Sequence, residues 1–76
     1  MIGKILKTMR KINNFKQSDI SEKTNIPQNT LSQYENEIIQ PTFETIKKIA
    51  DVCNFKIIFE NETTTLTPDN ISRKEI

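Results

Sequence analysis

Apolar residues in the first dozen positions return at helical intervals. Ile2, Ile5, Leu6 and Met9 stand at i, i+3, i+4 and i+7, which predicts an amphipathic first helix with these four on its inward face. Asn13-Asn14 ends it, because asparagine tolerates the left-handed backbone on which helices close. A second short helix is predicted over Gln17 to Thr24, with Ile20 turned inward beside Ser21 and Thr24. Asn25-Ile26-Pro27 cannot extend it: Pro27 disfavours the α conformation at Ile26, and its own fixed φ suits the start of a helix. A third helix is therefore predicted over residues 28 to about 36, after a three-residue turn. Thr42 is a good N-cap for a fourth, with Pro41 before it and Glu44 favouring the positive end of the helix dipole. Phe43, Ile46, Ile49, Ala50 and Cys53 then keep helical spacing.

After Asn54 the period changes from helical to two. Phe55, Ile57 and Phe59 fall on one side of a run rich in strand-favouring residues, which predicts a short strand with a short helix as the competing assignment. From residue 61 to 76 the chain is polar, with a threonine run and Pro68; it reads as a flexible tail, or as a hairpin arm in which residues 63–67 fold back through Asn61-Glu62. The organisation expected is one mainly α domain over residues 1–60 and a polar tail over 61–76.

Composition narrows the classes of function. Seventy-six residues, 34% of them hydrophobic and 28% charged, suit one globular domain with a modest core better than a disordered chain. No apolar run approaches the roughly 20 residues of a membrane span, and the first residues lack the pattern of a signal peptide, so a cytoplasmic protein with no membrane contact is expected. A lone cysteine cannot form an internal disulfide, and with no histidine a structural zinc site is excluded in practice. Cys53, at the end of an inward stripe, reads as core rather than as a reactive thiol. The commonest general base is missing, Gly3 is the sole glycine, and no nucleophile sits in a motif, so no enzyme, metal, cofactor or ligand pocket is expected.

Net charge is only +1, but it is unevenly spread. Residues 1–27 hold Lys4, Lys7, Arg10, Lys11, Lys16 and Lys23 against Asp19 and Glu22, a balance of +4, while the remainder stands at −3. Such asymmetry either orients the molecule on an anionic partner or is ordinary surface scatter.

Two short helices joined by a three-residue turn form the geometry that sets the second helix in the DNA major groove. At about 100° per residue from Gln28, Ser32 lies near 40°, Asn29 near 100° and Gln33 near 140°, whereas Leu31 and Tyr34 lie near 300° and 240°. The third helix thus buries Leu31 and Tyr34 and presents amides and a hydroxyl. Each amide tip carries a donor and an acceptor and can meet N6 and N7 of adenine together. A neutral solvated face is the plainer reading of the same spacing.

The run Gln17-Ser18-Asp19-Ile20-Ser21, then Ile26-Pro27-Gln28-Asn29-Thr30-Leu31-Ser32-Gln33-Tyr34-Glu35-Asn36, then Pro41-Thr42-Phe43, resembles the repressor and Cro-type (XRE-like) helix-turn-helix family over about residues 2–55. The resemblance implies a compact bundle of four to five short helices in a cytoplasmic, dimeric, operator-binding regulator. By position it implies base-edge contacts for Gln28, Asn29 and Gln33, and a base or phosphate contact for Ser32. Gln17 matches a residue that touches the DNA backbone, and Lys16, Thr30 and Asn36 are further candidates for phosphate contact. Arg10 and Glu35 match a pair tying the first helix to the end of the recognition helix; Ile20, Ile26 and Leu31 match the core that fixes the angle between the two helices.

One stretch departs from the family pattern. Where the family usually has glycine followed by basic residues that clamp phosphates, this chain has Glu37-Ile38-Ile39-Gln40. Without those clamps DNA affinity is lower and its salt dependence flatter, each phosphate neutralised being worth roughly 0.9 in the log–log slope. Glu37 would repel the DNA backbone if it pointed that way, and Ile38 and Ile39 form either a contact surface or a loop anchored on the core.

Three functions fit. The first is a transcriptional regulator, a repressor, bound to a palindromic double-stranded operator as a homodimer. The second is a DNA-binding antitoxin whose segment after Asn54 docks a toxin partner. The third is a protein-interaction module that has kept the scaffold but not DNA binding. Dimerisation is expected through Phe55, Ile57 and Phe59, the alternative being that Phe55 and Phe59 cap the monomer's own core.

Overall fold

A computed structural model describes residues 1–60 and 65–66. Among them, four helices run in order: α1 (Ile2–Ile12), α2 (Gln17–Thr24), α3 (Gln28–Glu35) and α4 (Phe43–Val52); β1 (Phe59–Glu60) and β2 (Thr65–Leu66) follow. The boundaries fall where local chemistry puts them. Asn14, Asn25 and Asn54 take up left-handed backbone, with φ of 58°, 64° and 64°, just after α1, α2 and α4. Pro27 opens α3, and the Thr42 hydroxyl accepts the backbone N–H of Thr45 at 3.2 Å to cap α4.

The core is built from Leu6, Met9, Ile20, Leu31, Ile49, Ala50 and Cys53, so every helix contributes to one cluster. Cys53 is fully enclosed, and burial pushes its thiol pKa up, outweighing the opposing pull of Arg10. Asn13 joins two helix ends, its Nδ2 donating at 3.0 Å to the carbonyls of both Met9 and Cys53.

Helix α1 turns Ile2, Leu6 and Met9 inward as the apolar spacing predicts, but not Ile5. Its buried residues are Gly3, Leu6 and Met9, while Ile5 is 54% exposed. The cause is the sole glycine. A Cβ on Gly3 would stand 2.4 Å from the Tyr34 carbonyl oxygen and 2.8 Å from that of Glu35, so the end of α3 rests directly on the α1 backbone. That contact turns the helix toward Gly3 and carries Ile5 outward.

The strand predicted over residues 55–59 is also displaced. Residues 55–58 have no regular structure, and β1 begins only at Phe59, pairing antiparallel with β2 in the register Phe59 opposite Leu66 and Glu60 opposite Thr65. Phe55 and Ile57 are half-buried against the core, and among the described residues no strand lies beside them to complete a ladder. The rest of the predicted tail, residues 61–64 and 67–76, lies outside the described residues.

A buried ion pair closes the bundle. Arg10 on α1 meets Glu35 on α3 in two parallel bonds, Nε to Oε2 at 2.8 Å and Nη2 to Oε1 at 3.0 Å. Its Nη1 donates to the Phe15 carbonyl at 2.9 Å, drawing in the α1–α2 loop. The two side chains are 12% and 7% exposed. The bond to Glu35 raises the Arg10 pKa despite the opposing effect of burial.

Stability measurements test both features. Alanine at Arg10 or at Glu35 leaves the other charge buried and unpaired and should cost about 3–5 kcal/mol; unchanged urea-melt midpoints for both variants would remove the pair's structural role. In Gly3→Ala the gain in helix propensity, about 1 kcal/mol, opposes an overpacking cost of about 1–3 kcal/mol against backbone that cannot step aside. A net fall in melting temperature is expected. A rise would mean that α3 yields.

Candidate nucleic-acid interface

The α2–turn–α3 unit is set from inside by a threonine. Thr24 is buried; its hydroxyl donates to the Ile20 carbonyl at 2.7 Å and accepts the Ile26 N–H at 3.3 Å, so one side chain joins the last turn of α2 to the chain leaving it. Asn25 makes the reversal in left-handed backbone, and Pro27 starts α3 with its carbonyl accepting from Thr30 and Leu31. Ile20 and Leu31 fill the angle between the helices, with Ile26 packed beside them.

That packing decides what α3 presents. Leu31 is buried and Tyr34 half-buried, so Gln28, Asn29 and Gln33 are left exposed, with Thr30 and Ser32 at the margins. Asn36, also exposed, donates from Nδ2 to the Ser32 hydroxyl at 3.2 Å. Three amides and two hydroxyls thus share a surface with no ionised group on α3 itself until Glu35, which Arg10 neutralises.

The candidates at the start of α2 sit differently. Lys16 is exposed just before the helix, and its backbone N–H donates to the Asp19 carboxylate at 2.7 Å. Gln17 is half-buried; its Nε2 donates to Glu35 Oε1 at 3.2 Å, making it a third member of the Arg10–Glu35 group. One of its two amide N–H groups is therefore committed inside the fold, and the other is not. Lys23, near the other end of α2, stands over the Phe15 ring at 5.2 Å from the centroid.

Glu37 has a place that its sequence position does not announce. It occupies left-handed backbone with φ of 62°, a conformation natural to glycine. Its carboxylate turns toward α1, accepting the Gly3 N–H at 3.0 Å and pairing with the terminal ammonium of Met1. The bond to that ammonium lowers its pKa most, helped by the backbone N–H groups of Lys4 and Gly3 and opposed by desolvation. The charge therefore satisfies the start of α1. Ile38 and Ile39 are exposed and not anchored on the core. The signal that could have located Glu37's partner was Gly3, the single residue in the chain able to admit so close a contact.

Among known families, a model described as helix-turn-helix matches residues 6–58, more than half of the chain. Compared with curated proteins and with solved structures, the chain gives no significant match. The family match covers all of α2 and α3, the turn between them and the core residues of all four helices. The chain belongs to the repressor and Cro-type (XRE-like) helix-turn-helix family of DNA-binding regulators.

Proposed function

We propose that the protein reads double-stranded DNA in the major groove through Gln28, Asn29 and Gln33 and acts in the cytoplasm as a transcriptional repressor on a palindromic operator. Ser32 assists at the base edges, and Lys16, the first turn of α2 at Gln17, Thr30 and Asn36 position the unit on the phosphates. It works without catalysis and without a cofactor. The observation that carries this reading is the exposure of all three amides on one side of α3 while Leu31 anchors the other. Half-sites about one helical turn of DNA apart call for two copies, related by a two-fold axis. Phe55 and Ile57 are partly occupied with their own core, so dimerisation through Phe59 and the β1–β2 pair, whose outer edges can add strands, fits best.

Selection of bound duplexes from a random pool should return a palindrome. Alanine at Gln28, Asn29 or Gln33 should then weaken binding to it by about 1–3 kcal/mol each and leave non-specific binding nearly unchanged. Intact discrimination in all three variants would overturn the recognition-helix assignment. Analytical ultracentrifugation at micromolar concentration should show a dimer on the selected duplex; a monomer there would remove the two-fold reading while leaving the base contacts standing.

A further inference from the structure

Helix α1 has a second apolar face. Gly3 and Arg10 meet α3; Ile5 and Ile12 lie about 200° around the helix from them, at roughly 100° per residue. They are 54% and 63% exposed, and Ile58, across from them, is 51% exposed. Between these lips runs a groove of about 530 Å³, floored by Met9, Ala50 and Phe55. Contiguous apolar surface of this kind on a small domain marks a place that something covers.

The charges beside the groove say what kind of partner suits it. The ionisable residues lining it are Lys4 and Lys56, and among the described residues no acidic side chain does so. Lys11 lies about 20° from Lys4 around α1 and adds to the positive charge on that side. A second copy is disfavoured, because a two-fold contact sets the same patch against itself and would bring Lys4 and Lys56 toward their own counterparts. Ile5 and Ile12 are seven residues apart, about 10.5 Å along α1, so the i and i+7 anchors of a helix laid along the groove can meet both.

We infer that the groove between α1, α4 and residues 55–58 is the docking site for an acidic amphipathic helix of another protein. Its apolar stripe lies against Ile5, Ile12 and Ile58, and its carboxylates lie beside Lys4 and Lys56. The exposed ion pairs select the partner and set its salt dependence; the isoleucines supply the burial. The groove lies on the side of α1 away from α3, so the partner leaves Gln28, Asn29 and Gln33 uncovered, and the inference stands apart from base reading.

The test uses the full chain and two labelled helical peptides of about 18 residues, with leucines at i, i+4, i+7 and i+11 and either glutamate or lysine elsewhere. Fluorescence anisotropy should show the acidic peptide binding at least about tenfold tighter, with affinity falling as salt rises. Ile5→Gln with Ile12→Gln should abolish binding with the thermal melt unchanged, since both side chains are exposed. Lys4→Glu with Lys56→Glu should reverse the preference toward the basic peptide. Glu22→Gln on α2, outside both surfaces, should leave peptide binding unchanged. Equal binding of the two peptides, or no binding of the acidic one, would overturn the inference. So would loss of binding on substitution of Gln28 and Asn29, which would place the peptide on α3 as a mimic of DNA. Self-association of the chain that Ile5→Gln abolishes would give the groove to a second copy instead.

Discussion

In a chain this short, a guanidinium and a carboxylate can sit almost out of water only if each completes the other's bonding, and Arg10 and Glu35 do so in the fork-to-fork geometry that best repays desolvation. The remaining donors are placed as economically: Nη1 on the Phe15 carbonyl, and Gln17 Nε2 on the second oxygen of Glu35. This one group therefore touches α1, the loop after it, the start of α2 and the end of α3. An error in the angle of α3 would break charged bonds in a low-dielectric setting, a steeper penalty than the loss of apolar packing alone. The orientation of the amide face thus rests on electrostatics behind it, although the face itself is uncharged.

Glu37 and Gly3 add a second pin at the end of the same helix. The glycine lets the last carbonyls of α3 rest on α1, and the carboxylate closes over the first N–H groups of α1 from the following loop. A basic residue in that loop would grip phosphate. Glu37 instead turns its carboxylate to the start of α1 and holds the scaffold there.

Much of this was legible in the residues, and the failures have physical causes. Pro27 and Thr42 marked helix starts because their local chemistry allows little else, and Leu31 with Tyr34 fixed the inner side of α3 through simple periodicity. Periodicity misplaced Ile5 because it ranks positions by polarity and is blind to a glycine that brings two backbones together. Alternation over residues 55–58 truly describes which side chains turn inward, Phe55 and Ile57 being half-buried and Lys56 and Ile58 exposed. A strand also needs a neighbour, and among the described residues 55–58 lack one. The direction of Gln17 toward Glu35 was hidden for a similar reason: the residues are 18 apart, and only the finished α1–α3 contact brings them together.

The uneven charge takes on a different meaning once its members are located. Of the six basic residues in positions 1–27, Arg10 is neutralised by Glu35, and Lys4, Lys7 and Lys11 lie on α1. Only Lys16 and Lys23 belong to the helix-turn-helix region, and Lys23 stands over Phe15. The excess, which either orients the molecule on an anionic partner or is surface scatter, is thus largely carried by α1. The α2–α3 side carries two lysines beside an uncharged amide face, and exerts weak long-range attraction on an anion. Lys4, with Lys56, stands at the apolar groove instead. An uncharged amide face on α3 and an apolar groove flanked by Lys4 and Lys56 thus belong to different sides of one small bundle, with the buried Arg10–Glu35 pair joining α1 to α3 between them.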